Sequence, residues 1–134
     1  MQSKSNLGNV VRMITMTQAE AEAFADEWMA AWNSHDPDLI AAHYHEDVEY
    51  HSPFVAQIAG ESVLRGRAVF HDYAAAALAR FPDLHFGPDR RVAAGSGSVA
   101  IEYRSVNDLL AIETLVLDDD ALVVRAHCHY CPAA

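Results

Sequence analysis

The chain has 134 residues, 51% of them hydrophobic, which is enough for a single domain with its own core. Its formal net charge of −10 is spread along the sequence, which argues against nucleic acid and anionic membranes as partners. No apolar run approaches the roughly 20 residues of a membrane-spanning helix. The N-terminus lacks the pattern of a signal peptide, so we expect a cytoplasmic protein with reduced cysteines.

The N-terminal part is predicted to be a flexible arm followed by a helix. Residues 1–16 show no clear periodicity and form the expected arm, which leaves residues 17–134 as one domain. Thr17 and Glu20 have the spacing of a capping box, in which each residue satisfies a backbone N–H of the other. A helix is therefore expected from this point to about Asn33, with one apolar face.

Two further helices and one strand are expected before the main sheet. A short helix is predicted over residues 37–45, because the proline that begins this segment suits the first helical position. Alternating side chains predict a strand over residues 47–52, which Pro53 ends. Residues 54–65 are expected to be irregular. Apolar residues at helical spacing predict a third helix over residues 67–80.

The rest of the chain is predicted to be strand. Apolar or alternating runs cover residues 84–94, 99–104, 109–117 and 125–131, with Gly87–Pro88 breaking or bulging the first of them. Turn residues separate the runs, which is typical of an antiparallel meander. Helices followed by such a sheet make the fold class α+β, with the helices on one side of the sheet.

The last strand carries the most unusual side chains. Because side chains alternate between the two faces of a strand, Arg125, His127 and His129 share one face. Ala126 and Tyr130 lie on the other face. A face with a cation and two imidazoles is either solvent-exposed or the wall of a pocket that performs chemistry, and alternation alone allows both.

Four segments together resemble a known family. They are Trp32–Pro37, Asp47–Pro53, Phe81–Leu84 and the four-strand ending. In order and spacing, over about residues 17–131, they resemble the nuclear transport factor 2-like superfamily, and within it the SnoaL-like type. The resemblance implies a cone-shaped, cystatin-like α+β barrel, in which three N-terminal helices pack in a strongly curved, mostly antiparallel sheet. It also implies a pocket inside the cone and a homodimer formed through the sheet.

Ketosteroid isomerase, a well-known enzyme of this superfamily, matches the chain only in part. Its carboxylate base would fall at Ser52, and serine cannot abstract a proton unaided. Its oxyanion-binding tyrosine would fall at Trp28. Its oxyanion-binding acid is retained at Glu113, and its supporting tyrosine at Tyr73. The acid that SnoaL-like cyclases carry at the end of the last strand is replaced by Cys131.

The resemblance implies that Arg125, His127 and His129 lie on the concave face of the sheet, near Glu113. We therefore expect His127 or His129 to move a proton in catalysis. Glu113 is expected to orient the histidine or to stabilise an oxyanion, and Arg125 to bind a carboxylate or an enolate. The residues expected to bind substrate are Trp28, Trp32, Tyr44, Tyr50, His51, Ser52, Phe54, Phe70, Tyr73, Tyr103 and Leu115.

The expected function is acid–base chemistry without a cofactor, of the isomerase, dehydratase or cyclase type, on a small apolar carbonyl or hydroxylated compound. One alternative is a non-catalytic module that binds a ligand or dimerises. Another is a metal-dependent enzyme, in which His127 and His129 bind the ion and Glu113 or His51 completes the site. The homodimer is expected to bury an apolar outer face of the sheet that includes Ala100, Ile112, Thr114 and Val116.

Overall fold

The computed structural model describes residues 16–133, and within them it contains four α-helices and a six-stranded sheet. The helices are α1 (Gln18–Asn33), α2 (Pro37–Ala41), α3 (Pro53–Ala59) and α4 (Arg67–Arg80). The strands are β1 (Tyr44–His51), β2 (Leu64–Arg65), β3 (Arg90–Ala94), β4 (Ser98–Arg104), β5 (Leu109–Leu117) and β6 (Val123–Pro132). Except for Met16, the expected N-terminal arm lies outside the described residues. None of these four helices is long and apolar enough to cross a membrane.

The strand order is β2–β1–β6–β5–β4–β3, and all neighbouring strands are antiparallel except β1 and β6. β1 lies parallel beside β6, where Tyr50 pairs with Ala126 and His51 with His127. The sheet curls without closing, and the helices pack against it, α1 on β3 and α4 on β1. This arrangement is the α+β, cystatin-like fold that the resemblance implied.

α1 is confirmed, and it begins with both hydrogen bonds of the predicted capping box. The Glu20 backbone N–H donates to Thr17 Oγ1, and the Thr17 backbone N–H donates to Glu20 Oε1, each at 3.0 Å. The apolar face of the helix is buried and includes Trp28 and Trp32, which lie one turn apart. α1 therefore carries two indole rings into the core of the cone.

α2 ends at Ala41, earlier than predicted, because the chain joins the sheet soon after this point. The Val123 backbone N–H donates to the His43 carbonyl at 2.9 Å, and Tyr44 is in register with Val123. Pairing with β6 competes with the helix, so that β1 begins at Tyr44 rather than at Asp47. Long-range pairing here overrides the local helix preference.

α3 corrects the expectation that residues 54–65 are irregular, and it makes four helices in residues 16–133 where three were expected. Ser52 caps the helix by accepting a hydrogen bond from the Phe54 backbone N–H at 3.3 Å, and Pro53 lies in the first turn. Gly60 ends the helix in a left-handed conformation with φ of 75°. Start and stop signals are thus both present in the sequence.

The segment before β3 is a loop rather than the predicted strand. The side chain of Asn33 donates to the Phe86 carbonyl at 2.9 Å and accepts from the Phe86 backbone N–H at 2.7 Å. His35 Nε2 lies 2.7 Å from the Leu84 carbonyl oxygen. Because side chains satisfy backbone groups that a neighbouring strand would otherwise pair, only Arg90–Ala94 pairs with β4.

Candidate functional site

A cavity, here called the inner cavity, lies between the helices and the inner face of the sheet. Its volume is about 40 Å³, or about 400 Å³ when all the space out to open solvent at its mouth is included. The cavity is therefore narrow, and its wall is mostly aromatic and aliphatic. The predicted site residues that line it are Trp28, Trp32, Tyr50, Phe54, Tyr73, Tyr103 and Glu113.

Glu113 is the only carboxylate on this wall among the described residues, and its side chain is almost fully buried, with 2% exposure. Tyr103 Oη donates to Glu113 Oε1 at 2.9 Å, whereas Oε2 has no hydrogen-bond partner. Burial raises the pKa of Glu113 to about 7, and the hydrogen bond from Tyr103 and the nearby thiol of Cys128 only partly offset this effect. Near neutral pH the carboxyl therefore exists in both protonation states, which suits a group that takes up and returns a proton.

The sheet register explains why Glu113 borders open space. Glu113 lies between Ile101 of β4 and Cys128 of β6 in one row of inward side chains. The next row places Ala111 between Tyr103 and Tyr130. The tyrosines on both sides of this small alanine line the cavity together with Glu113.

Phenol groups supply most of the other polar atoms on the cavity wall. Tyr50, Tyr73, Tyr103 and Tyr130 all line it, and burial raises the pKa of each of them. They therefore remain neutral hydrogen-bond donors at physiological pH. The Ser52 hydroxyl lies close to Tyr73 and Tyr130 and lowers the pKa of both, against the larger effect of burial.

The placement of Arg125, His127 and His129 on the concave face is wrong. Their inward neighbours on β6 are Ala126 and Cys128, which are buried, whereas Arg125 and His129 are exposed. In register, His127 lies opposite Thr114, and His129 opposite Ile112, on the outer face of β5. The two imidazoles and the guanidinium therefore point away from the cavity, and no hydrogen bond joins a histidine to Glu113 within residues 16–133.

His51 also lies on the outer face rather than at the cavity mouth. Its ring stacks on His127 with 4.2 Å between ring centroids and 7° between planes. His51 Nε2 lies 2.7 Å from Glu49 Oε1, and Arg65 Nη1 donates to Glu49 Oε2 at 2.5 Å. These hydrogen bonds from His51 and Arg65 lower the pKa of Glu49 to about 2. Burial and the neighbouring His51 and Arg125 lower the pKa of His127.

Four other predicted binding residues support the wall from behind. Tyr44 is fully buried, accepts a hydrogen bond from Trp28 Nε1 at 3.0 Å and packs on Phe70 with ring centroids 4.0 Å apart. Phe70 and Leu115 are fully buried and do not line the cavity. Ser52 is buried as the cap of α3. These residues fix the positions of the wall, whereas a ligand in the cavity touches their neighbours.

The alternative metal site does not form as expected. Glu113 lies on the inner face of the sheet, whereas His51, His127 and His129 lie on the outer face. Over residues 16–133, no group of three or more histidine, cysteine, aspartate or glutamate side chains has an arrangement that could hold a metal ion.

Sequence reasoning missed several residues of the cavity wall. Tyr130 lies on the inward face of β6 and lines the cavity. It was missed because the opposite face of that strand was expected to point inward. Ile58 comes from the unpredicted α3, and Phe86 from the loop that was expected to be a strand. The Ser52–Pro53 start signal and the apolar Ala126 and Tyr130 were the available signs.

Comparison with known proteins agrees with this architecture. Residues 25–130 match the SnoaL-like domain family. A crystal structure of a SnoaL-like protein of unknown function from Burkholderia thailandensis is 43% identical, with a TM-score of 0.81 over 87% of this chain and 98% of that one. None of the curated proteins compared with the chain matches it. The chain belongs to the SnoaL-like domain family.

Two more distant structures share the fold. One is a provisionally named ketosteroid isomerase from Kribbella flavida, with 23% identity and a TM-score of 0.65 over 85% of this chain and 79% of that one. The other is a protein of unknown function with a cystatin-like fold from Methylobium petroleophilum, with 21% identity and a TM-score of 0.66 over 90% and 82%. At this identity the likeness shows the fold alone.

Proposed function

We propose that this protein is an enzyme that needs no cofactor and rearranges a small, mostly apolar carbonyl compound by acid–base catalysis at Glu113. The observation that supports it is a buried carboxyl group with a pKa of about 7 and one free oxygen, on the wall of an apolar cavity. A carboxyl group tuned towards neutral pH in a cleft is a common feature of catalytic sites. The membership of the SnoaL-like family is consistent with isomerase or cyclase chemistry.

In the proposed reaction, the ionised Glu113 removes a proton from the carbon next to the carbonyl group of the substrate. The C–H bond breaks, an O–H bond forms on Glu113, and the electron pair moves onto the carbonyl oxygen as an enolate. Neutral phenols on the wall, such as Tyr73 and Tyr130, donate hydrogen bonds to that oxygen. Glu113 then returns the proton to another carbon, which completes an isomerisation, or to a hydroxyl group that leaves as water.

The test is deuterium exchange into small ketones, since proton removal precedes any rearrangement. Cyclohexanone, 2-tetralone and 3-cyclohexenone are incubated with the protein in D₂O and followed by proton NMR. We expect Glu113→Gln to slow exchange by about 10² to 10⁴-fold, the usual contribution of a general base. Wild-type exchange should rise with pH through about 7, as Glu113 loses its proton.

Glu102→Gln is the matched control, because Glu102 lies on the outer face of the neighbouring strand β4. It should exchange at the wild-type rate. Equal exchange by the wild type and by Glu113→Gln, with every ketone, would show that Glu113 is not the base.

A second candidate is a ligand-binding module without turnover, which the narrowness of the inner cavity favours. Because aromatic rings fill much of this cavity, it has room for only a small apolar group. In that case 2-tetralone quenches the fluorescence of Trp28 and Trp32, which line the cavity, yet its protons exchange no faster than in buffer.

We also propose that two copies of the chain pair through the outer face of the sheet. Ile112 and Val116 are 41% and 38% exposed on outward positions of β5, one on each side of Thr114, and such apolar surface is a candidate for an interface. Ile112→Lys combined with Val116→Lys should convert a dimer into a monomer in sedimentation velocity. A wild-type chain that sediments as a monomer at micromolar concentration contradicts the pairing.

A further inference from the structure

A second cavity, here called the vestibule, lies next to the inner cavity. It encloses about 700 Å³ including open solvent, and the centre of a water molecule can reach about 370 Å³ of it. The two cavities share four lining residues: Phe81, Leu84, Ser105 and Val106. The two cavities therefore adjoin at these residues.

Both sides of the vestibule are held by specific contacts. On one side, the loop at Leu84 and Phe86 is fixed by His35 and by the paired hydrogen bonds of Asn33. On the other side, the Ser105 backbone N–H donates to the Leu109 carbonyl at 2.8 Å. These contacts make the vestibule part of the folded structure, so a ligand that uses it finds its shape already formed.

The turn at the outer side of the vestibule is also fixed. Asn107 and Asp108 both adopt left-handed backbone conformations, with φ of 57° and 58°. Arg104 Nη1 donates to Asp108 Oδ1 at 2.6 Å and closes this turn. Left-handed residues other than glycine cluster at binding sites, where surrounding contacts stabilise them.

The two cavities differ in chemistry. The inner cavity offers mainly rings and one carboxyl group. The polar side chains of the vestibule come from Arg80, Asp83, His85, Ser105 and Asn107. These side chains include donors and acceptors, and one positive charge stands against one negative charge. A neutral polar group can form hydrogen bonds there. Because it carries no charge, it is repelled neither by Arg80 nor by Asp83.

We infer that the protein binds an elongated amphipathic molecule, with a slim apolar end in the inner cavity and a neutral, hydroxyl-rich or amide-bearing end in the vestibule. The assignment of the apolar end as the reacting end rests on the proposed function of Glu113. The assignment of the polar end rests on the vestibule alone. The substrate class is accordingly conjugates of an apolar carbonyl compound with a sugar-like or amide-like group.

The test measures binding, so that it does not depend on turnover. Trp28 and Trp32 line the inner cavity and report its occupancy by fluorescence quenching. The probes are 4-phenylbutyl β-glucoside, 4-phenylbutanol and 4-phenylbutyl sulfate, which share an apolar end and differ in the outer group. We expect the glucoside to bind about tenfold more tightly than the alcohol, the equivalent of one or two hydrogen bonds. The sulfate should bind more weakly than the glucoside.

The double substitution Asp83→Ala with Asn107→Ala should remove most of the tenfold advantage of the glucoside and leave the affinity for 4-phenylbutanol unchanged. Arg67→Gln is the control, since Arg67 is exposed at the start of α4 and lines neither cavity. Glu113→Gln should keep the advantage even though it removes exchange activity. Loss of the glucoside preference therefore tests the vestibule, whereas loss of exchange tests the proposed role of Glu113, so the two proposals can fail separately.

Three results overturn the inference. Equal affinity of the wild type for the glucoside and the alcohol would mean that the vestibule contributes no binding. The sulfate binding most tightly would identify an anion site instead. An advantage that persists in the double variant would place the sugar elsewhere on the surface.

Discussion

Glu113 and Glu49 are two glutamates of one sheet, and the sheet gives them opposite properties. Glu113 faces the inner cavity with a phenol and a thiol beside it, and burial raises its pKa to about 7. Glu49 faces outward between His51 and Arg65, and hydrogen bonds from them lower its pKa to about 2. The face of the sheet, rather than the residue type, therefore decides which carboxyl group can exchange a proton near neutral pH.

Neighbouring residues of β5 also differ according to the face of the sheet on which they lie. Substituting them should give the largest difference in the free energy of unfolding. Leu115 is fully buried, whereas Val116, the next residue, is 38% exposed. Leu115→Ala should lower the free energy of unfolding by about 2–5 kcal/mol, because it opens a cavity in the core. Val116→Ala should cost less than about 1 kcal/mol in the monomer. Urea unfolding of both variants at low protein concentration measures the difference, and equal losses would mean that the outer face is packed as tightly as the core.

The pH dependence of stability follows from the raised pKa of Glu113. The folded protein keeps a proton on Glu113 up to about pH 7, whereas the unfolded chain releases it near the ordinary value of 4.5. The free energy of unfolding should therefore fall between these two pH values, by roughly 3 kcal/mol, and level off above pH 7. Glu113→Gln should remove this decline, and Glu102→Gln should retain it. Urea unfolding from pH 4.5 to 8 tests the point, and a wild-type curve parallel to that of Glu113→Gln would contradict the raised pKa.

Substitution of Tyr44, which lies in the core, should have a smaller effect on the free energy of unfolding. Within residues 16–133, its hydroxyl is the sole acceptor for the buried indole N–H of Trp28. Tyr44→Phe should cost about 1–3 kcal/mol, because it leaves that donor without a partner. Thr114→Val, at an exposed outward position of β5, serves as the comparison and should be close to neutral. Thermal unfolding measures the stability of both variants. Equal losses of stability would contradict the contribution assigned to the Trp28–Tyr44 hydrogen bond.

The smallest expected effect is a change in the pKa of His127 on the outer face of the sheet. His51 stacks on His127 and helps to lower the pKa of His127. His51→Asn should raise the pKa of His127 towards its ordinary value, because the electrostatic effect of His51 on His127 is removed. Glu49→Gln should lower it further, since Glu49 raises it in the wild type. Proton NMR titration of the imidazole resonances measures both shifts, and shifts of the same sign would rule out this electrostatic account.

The helices and strands with strong periodic patterns were predictable from the sequence. α1 with its capping box, α4, and strands β4 and β5 of the meander follow from side-chain spacing and turn residues. The length of α2 and the loop before β3 did not follow. Both depend on partners distant in sequence, namely β6 for the start of β1 and Asn33 for the loop.

The facing of the last strand is the most instructive error. Its inward residues include Ala126, Cys128 and Tyr130, which form a weak hydrophobic pattern, so alternation alone did not decide the face. β5 added to the ambiguity, because its outward Ile112 and Val116 are more apolar than its inward Glu113. Glu113 was placed correctly by resemblance, but the partners expected for it on β6 were wrong by one residue. A shift of one position in a strand exchanges all its side chains between the faces.

The parallel pairing of β1 with β6 has a consequence for the order in which the molecule can assemble. β1 precedes the other strands of the sheet and β6 follows them all, so these two neighbours are separated by most of the sheet in sequence. During synthesis the pairing of β1 with β6 must wait until β6 has been made, while the hairpins of β3, β4 and β5 can form locally. Closing so long a loop slows folding. The growing chain therefore passes through a stage with exposed strand edges, and at that stage chaperones and aggregation compete for it.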